Sequence, residues 1–336
     1  MTTDIHAHIV PDAFIRDVRS EVPNAHPTLT QRADGWYLEY PGGRLSGPVP
    51  IGMFDTEARL REMDATGIDV QALSAPPMHF LYRLTPSEAE AHARLYNDAL
   101  VGIAREHPAR FVVLATLPMQ DVDLALAELE RLQGIPEVVG LELGTNIAGV
   151  NLGNARHEPV WAAIAAAGMP VVLHPSEVAG ADRMHDHYLH NFVGNPTDST
   201  LAAGSLIFGG VLERNAALRV ALLHGGGFLP YQIGRFDHGW KVRPEAKTHL
   251  AMPPSSYLDR FWFDTLTHDT ESLRFLLQRV GADRLMLGSD YPFDMADMDP
   301  VRSVRAAFDD AAVIEKVLET TPTAFLQRRP AHAHVR

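Results

Sequence analysis

Short apolar runs rich in β-branched residues recur along this chain, and stretches of helical spacing separate most of them. The runs are TDIHAH (3–8), IDVQALS (68–74), FVVLATL (111–117), VVGLELG (138–144), PVVLHP (170–175), LRVALLHGG (218–226), FWFDT (261–265) and RLMLGSDYP (284–292). They predict eight strands. The intervening pattern predicts helices over 56–67, 86–108, 121–134, 158–170, 269–281 and 299–310, several opening on an acidic residue and closing at a glycine. Strand and helix in alternation imply parallel strands joined by right-handed crossovers. Near-continuous apolar runs fit strands covered on both faces. Eight such units predict an α/β fold of the (β/α)8 TIM-barrel type, with an open doubly wound sheet as the alternative.

Two segments break the rhythm. Residues 20–55 hold GWYLEYPGGRLSG, two short polar-aromatic runs about Pro41, Gly42 and Gly43, which predict a β-hairpin inserted after the first strand. A second long insertion runs from SEVAGADRM to NPTDST, after the fifth strand. The expected organisation is one barrel domain over 1–336 that carries the 20–55 region within it.

Composition narrows the function classes. At 46% hydrophobic and 21% charged residues, the 336-residue chain is balanced for a globular protein with a sizeable core. No apolar run reaches the roughly 18 residues a bilayer span needs. The N-terminus shows no basic stretch followed by an apolar one, so no signal peptide is expected and a cytoplasmic setting is. There are no cysteines, which excludes disulfides, iron–sulfur clusters and thiolate-held zinc. A net charge of -13 argues against a nucleic-acid partner, yet a few local arginines still suffice for an anionic substrate.

Any metal must then be held by His, Asp or Glu, and the histidines fall at telling places. His6 and His8 close the first predicted strand, two apart and so on one face. His174 closes the fifth, His224 the sixth and Asp290 the eighth. Barrel enzymes place their chemistry at these strand ends. Three histidines and an aspartate can close around one divalent cation and leave room for water, whose pKa the metal lowers. Spacing alone does not say which histidine stands off the metal. A histidine-rich set leans to zinc, with manganese as the alternative. The C-terminal pair His332 and His334 follows no strand and reads as a solvated tail. His185, His187 and His190 lie outside any predicted strand and read as lining or surface residues.

Together with DIHAH, REMDATGIDVQALS, RFVVLATLPMQ, VVLHP, GGVLERNAALRVALLHGGGFLPYQIGRFDHG and DRLMLGSDYPF, these residues resemble the amidohydrolase superfamily, and within it the amidohydrolase-2 branch typified by aminocarboxymuconate semialdehyde decarboxylase. The matching pieces span residues 4–293. The resemblance implies a distorted barrel and one zinc per chain. It implies His6, His8, His174 and Asp290 as ligands, and His224 as acid/base residue assisted by Asp290. It also implies that Arg235 reaches a neighbouring subunit's site, hence a homodimer, and that the substrate is a small carboxylated molecule. The chain departs from the pattern in GPVPIGMFD, where a substrate-binding arginine is missing and Arg44 of the hairpin is the candidate substitute. It departs again after the fifth strand, where Tyr188 and Asn191 stand in the neighbourhood of an absent tryptophan. The resulting expectation is a metal-dependent, non-oxidative decarboxylase of an unsaturated or aromatic carboxylic acid. The alternative is a metal-dependent hydrolase or hydratase that opens lactones or amides or hydrates a double bond. A two-metal hydrolase would need a bridging carboxylate, for which Glu142 is the candidate. A non-enzymatic scaffold would show an eroded site, whereas all five polar positions are present.

Overall fold

The computed structural model describes residues 1–23, 25–40 and 44–327, the side chains of 44–46 excepted. Its centre is an eight-stranded parallel sheet. The strands are β1 (Thr3–His8), β2 (Val70–Ser74), β3 (Phe111–Ala115), β4 (Val138–Gly144), β5 (Val171–His174), β6 (Val220–Leu222), β7 (Phe261–Asp264) and β8 (Leu285–Met286). They lie side by side in chain order. Each falls inside one of the eight apolar runs. The Ile5 amide donates to the Leu287 carbonyl, and the His8 amide to that of Tyr291. These bonds bring β1 against the segment after β8, so the sheet curls into a distorted (β/α)8 barrel rather than an open sheet.

Alternation sorts the side chains into two layers. Val70, Ala72, Val112, Leu114, Val172, Ala221 and Met286 form one buried cluster, with Phe325 packed against it. Their neighbours Leu73, Val113, Leu141, Leu143, Val171, Leu173, Leu222 and Phe263 join the larger cluster under the helices. The helices follow the sequence pattern closely, over Thr56–Thr66, Pro86–Glu106, Val122–Gln133, Glu158–Ala167, Thr270–Val280 and Pro300–Ala307. Asp55, Asp121, Asp269 and Asp299 cap four of them by accepting a backbone N–H.

Two strands fall furthest short of their apolar runs. β6 stops at Leu222 and β8 at Met286, and beyond them His224 (φ 55°) and Asp290 (φ 60°) take left-handed backbone conformations that no strand accommodates. In the 20–55 region an antiparallel sheet pairs Thr28–Arg32, Gly35–Tyr40 and Arg44–Val49, so the region holds three strands rather than two. The turn residues Pro41, Gly42 and Gly43 lie outside the described residues, as do His332 and His334. No helix among the described residues is long and apolar enough to cross a membrane.

Candidate metal centre and active site

His6, His8, His174, His224 and Asp290 meet at the C-terminal mouth of the barrel. Reaching that arrangement takes one irregularity in β1. Asp4 pairs with Gln71 but Ala7 with Leu73, so β1 carries one extra residue between them. Such a bulge re-aims a side chain. It lets Ile5 stay in the buried layer while His6 and His8 both face the centre. Asp4, fully buried, holds the bulge: its carboxylate accepts from the His6 and Ser289 amides, Gln71 Nε2 and Ser289 Oγ. Arg59 is buried behind the same strand and donates to the His8 and Gly52 carbonyls and to Gln71.

The carboxylate of Asp290 organises the centre. Its Oδ1 lies 3.2 Å from His6 Nε2, 3.1 Å from His8 Nε2 and 3.9 Å from His174 Nε2. Its Oδ2 lies 3.6 Å from His224 Nε2. One donor atom each from His6, His174, His224 and Asp290 fall within 4.8 Å of one another. His6 Nε2, His8 Nε2, His174 Nε2 and Asp290 Oδ1 are all buried with no hydrogen-bond partner. Buried polar atoms are rarely left so, and four converging on one point fit a cation.

The far sides of the rings separate the histidines. His6 Nδ1 donates to Asp264 Oδ2 at 2.8 Å, and His174 Nδ1 to the Pro175 carbonyl at 2.8 Å. His8 Nδ1 lies 3.0 Å from Ser74 Oγ, whose own proton points to the Ala7 carbonyl. In each ring Nδ1 is engaged, which leaves Nε2 as the atom that faces the centre and can bind a cation there. His224 is different, since its Nδ1 has no partner.

Charge follows the packing. Burial disfavours an ionised Asp290, but the His6 charge and the facing rings of His174, His224 and His6 hold it well below the usual carboxylate range. Burial likewise opposes a charge on His6, yet Asp290 and Asp264 outweigh it and raise its pKa well above an ordinary imidazole. Burial pushes His8 down to about 3 and lowers His224.

Glu142 points inward. It pairs directly with Val172, two residues before His174, and so shares that inner face. Neither carboxylate oxygen has a hydrogen-bond partner, and burial raises its pKa to about 7. Oε1 lies 3.7 Å from His8 Nδ1, on the side of the ring away from Asp290.

Two cavities open from Asp290. One, of about 450 Å³, lies beside His174 and is walled by Phe80, Tyr82, Tyr188 and Phe293. The other, of about 700 Å³, lies beside His224 against Phe192, Phe228 and Phe275. Asn191 and Asn195 line both. Tyr188 lines the smaller one and donates to Asp294 Oδ1 at 3.2 Å. Among the described residues, no lysine or arginine lines either cavity. Arg235 is not brought to its own chain's centre; it is exposed on the helix Leu229–Val242. The side chain of Arg44 lies outside the described residues. His190 lines the smaller cavity, while His185 and His187 are exposed in the segment before it. Asp264 and Ser74 were not singled out from the sequence, although FWFDT and IDVQALS carry the signal that marked Asp290, a polar residue ending an apolar strand.

The chain belongs to the amidohydrolase family, whose Amidohydro_2 model matches residues 3–328. It is 36% identical over 301 residues to the 2-amino-3-carboxymuconate-6-semialdehyde decarboxylase of Dictyostelium discoideum, covering 88% of this chain and 83% of that one. It is 30% identical over 263 residues to the gamma-resorcylate decarboxylase of Polaromonas, covering 72% and 78%. In fold it matches the crystal structure of 5-carboxyvanillate decarboxylase from Sphingomonas paucimobilis with a TM-score of 0.82, at 22% identity over 97% of this chain and 98% of that one.

Proposed function

We propose that this protein is a metal-dependent, non-oxidative decarboxylase of a small unsaturated or aromatic carboxylic acid. The observation that carries the reading is the convergence of three orphaned imidazole Nε2 atoms and Asp290 Oδ1 on one point, inside a chain whose relatives are named decarboxylases. His6, His8, His174 and Asp290 would hold one zinc ion, and the engaged Nδ1 atoms support that set over one containing His224. When bound, the cation supplies Lewis-acid polarisation of substrate or water.

The chain's own groups do the rest. Phe80, Tyr82 and Phe293 line the smaller cavity with aromatic surface suited to a conjugated acid. His224, with Nε2 facing Asp290 Oδ2, transfers the proton that replaces the departing carboxyl group at carbon. A neutral imidazole held at low pKa by burial and steadied by Asp290 when protonated can both take and give that proton. Among the described residues no lysine or arginine lines the cavities, and Arg235 is exposed on the helix that carries Tyr231, a residue of the larger cavity's wall. Both facts support a homodimer in which Arg235 of one subunit grips substrate in the other, since a guanidinium binds a carboxylate bidentately.

Glu142 favours a second reading, a two-metal hydrolase. Its contact with the outer edge of His8 weighs against bridging. Elemental analysis decides between the two, together with a screen for CO2 release from conjugated monocarboxylic and dicarboxylic acids. About one zinc per chain with CO2 release is the expected result. Two metals per chain with hydrolysis and no CO2 would replace the decarboxylase reading by the second one.

A further inference from the structure

Asp264 ends β7 and is fully buried. Its two oxygens do different things. Oδ2 accepts from His6 Nδ1 at 2.8 Å, and Oδ1 accepts from the Gly225 amide at 2.7 Å, the residue next to His224. One carboxylate therefore touches the ring of a metal-ligand candidate and the backbone of the acid/base residue. The two are held by different strands, 218 residues apart in sequence. There is little freedom to do this otherwise. Gly288 packs against it so closely that an added Cβ there would meet Asp264 Cβ at 2.7 Å. The β6 turn is equally tight, because a Cβ on Gly226 would meet Phe263 at 2.6 Å.

We propose that Asp264 is the positioning residue of the centre: it fixes the Nδ1–H tautomer of His6, so that Nε2 is free to bind the metal, and anchors the turn that aims His224. The inference rests on the metal-centre reading above. The physical reason lies in hydrogen-bond inventory. A carboxylate only accepts, so the ring must place its proton on Nδ1. A carboxamide in its place keeps one acceptor for Gly225 N–H but turns an NH2 group toward His6. The ring must then accept at Nδ1 and carry its proton on Nε2, which blocks the ligand atom. A carboxylate also makes the imidazole a more basic ligand.

The test is zinc affinity, read by competition with a coloured chelator, for the wild type, Asp264→Asn, His6→Ala and the double variant. Wild-type binding tests the metal reading on its own. Asp264→Asn is expected to weaken zinc by about 10- to 100-fold. In the His6→Ala background the same substitution is expected to cause little further loss, because Asp264 acts through that ring. Wild-type affinity in Asp264→Asn, or equal losses in both backgrounds, would overturn the proposal. If the asparagine variant does not fold, nitrogen NMR of the zinc-loaded wild type decides. The proton of His6 is expected on Nδ1, and a ring that binds zinc through Nδ1 would overturn the assignment.

Discussion

His224 and Asp290 are the two residues of the centre with left-handed backbones, a conformation that costs a residue with a side chain roughly 1–3 kcal/mol. Both lie beyond the end of a strand, with the side chain in the barrel mouth. The Asp290 amide is tied to the His6 carbonyl at 2.8 Å, and the His224 turn to Asp264, so the surrounding bonds hold the strain in place. The roles of the two differ in what their removal should do. His224→Ala is expected to keep its zinc while turnover falls by roughly 100-fold or more, measured as CO2 release from the metal-loaded protein. Full turnover in that variant would remove His224 from the chemistry. At this scale the sequence was informative, because a histidine or aspartate after a buried apolar run stands out. It could not separate ligand from acid/base residue, since that distinction lies in what touches Nδ1.

The elements around the centre are joined by buried polar contacts that no periodicity reveals. The turn Pro77–His79 leads into Phe80 and Tyr82 of the smaller cavity. His79 Nε2 meets Tyr40 OH at 2.9 Å, from the inserted sheet, and His79 Nδ1 meets His92 Nε2 at 3.4 Å, from the helix Pro86–Glu106. Burial pushes His92 down to about 3. An unfolded imidazole titrates near 6.5. Between those values the unfolded chain binds a proton that the folded one refuses, so acid favours unfolding. Stability should therefore fall as pH drops from about 6.5 toward 3, by up to about 1.4 kcal/mol per pH unit for this one group. His157, lowered to about 4 mainly by burial, acts in the same direction. Urea midpoints at pH 7 and pH 5 check this: His92→Gln should lose less between the two than the wild type. A parallel loss in both proteins would mean that His92 is not held neutral.

At the scale of the whole molecule, the proposed cation and the proposed partner would complete what one chain begins. Three imidazole nitrogens and a carboxylate oxygen converge without partners, and a bound cation stabilises only the folded arrangement. With free zinc at 100 times its Kd, the gain is about 2.7 kcal/mol. Chelation should accordingly lower the melting temperature, and added zinc should restore it. An unchanged melting temperature would mean that the centre holds no tight metal. The partner's contribution can be read separately. If Arg235 acts across a dimer interface, inactive His224→Ala and Arg235→Ala chains mixed equally should recover about one quarter of the wild-type activity. Half of the dimers are then mixed, and each has one intact site. No recovery after verified subunit exchange would confine both residues to one chain's site or remove Arg235 from it.

By itself the sequence determined the eight strands, the helices between Thr56 and Val280 that separate most of them together with Pro300–Ala307, though not Asp12–Glu21, Asn195–Phe208 or Leu229–Val242, and the five polar side chains at strand ends. These follow from local pattern, because a two-residue or 3.6-residue period and a cap are written in neighbouring residues. Tertiary structure alone decided the bulge in β1, the inward aim of Glu142, and the pairing of His6 with Asp264. Those depend on register and closure between distant segments, as when Asp4 grips Ser289 across 285 positions to bring β1 beside the segment that carries Asp290. No local period carries that information, since it exists only once the sheet has curled and each ring nitrogen has met its neighbour.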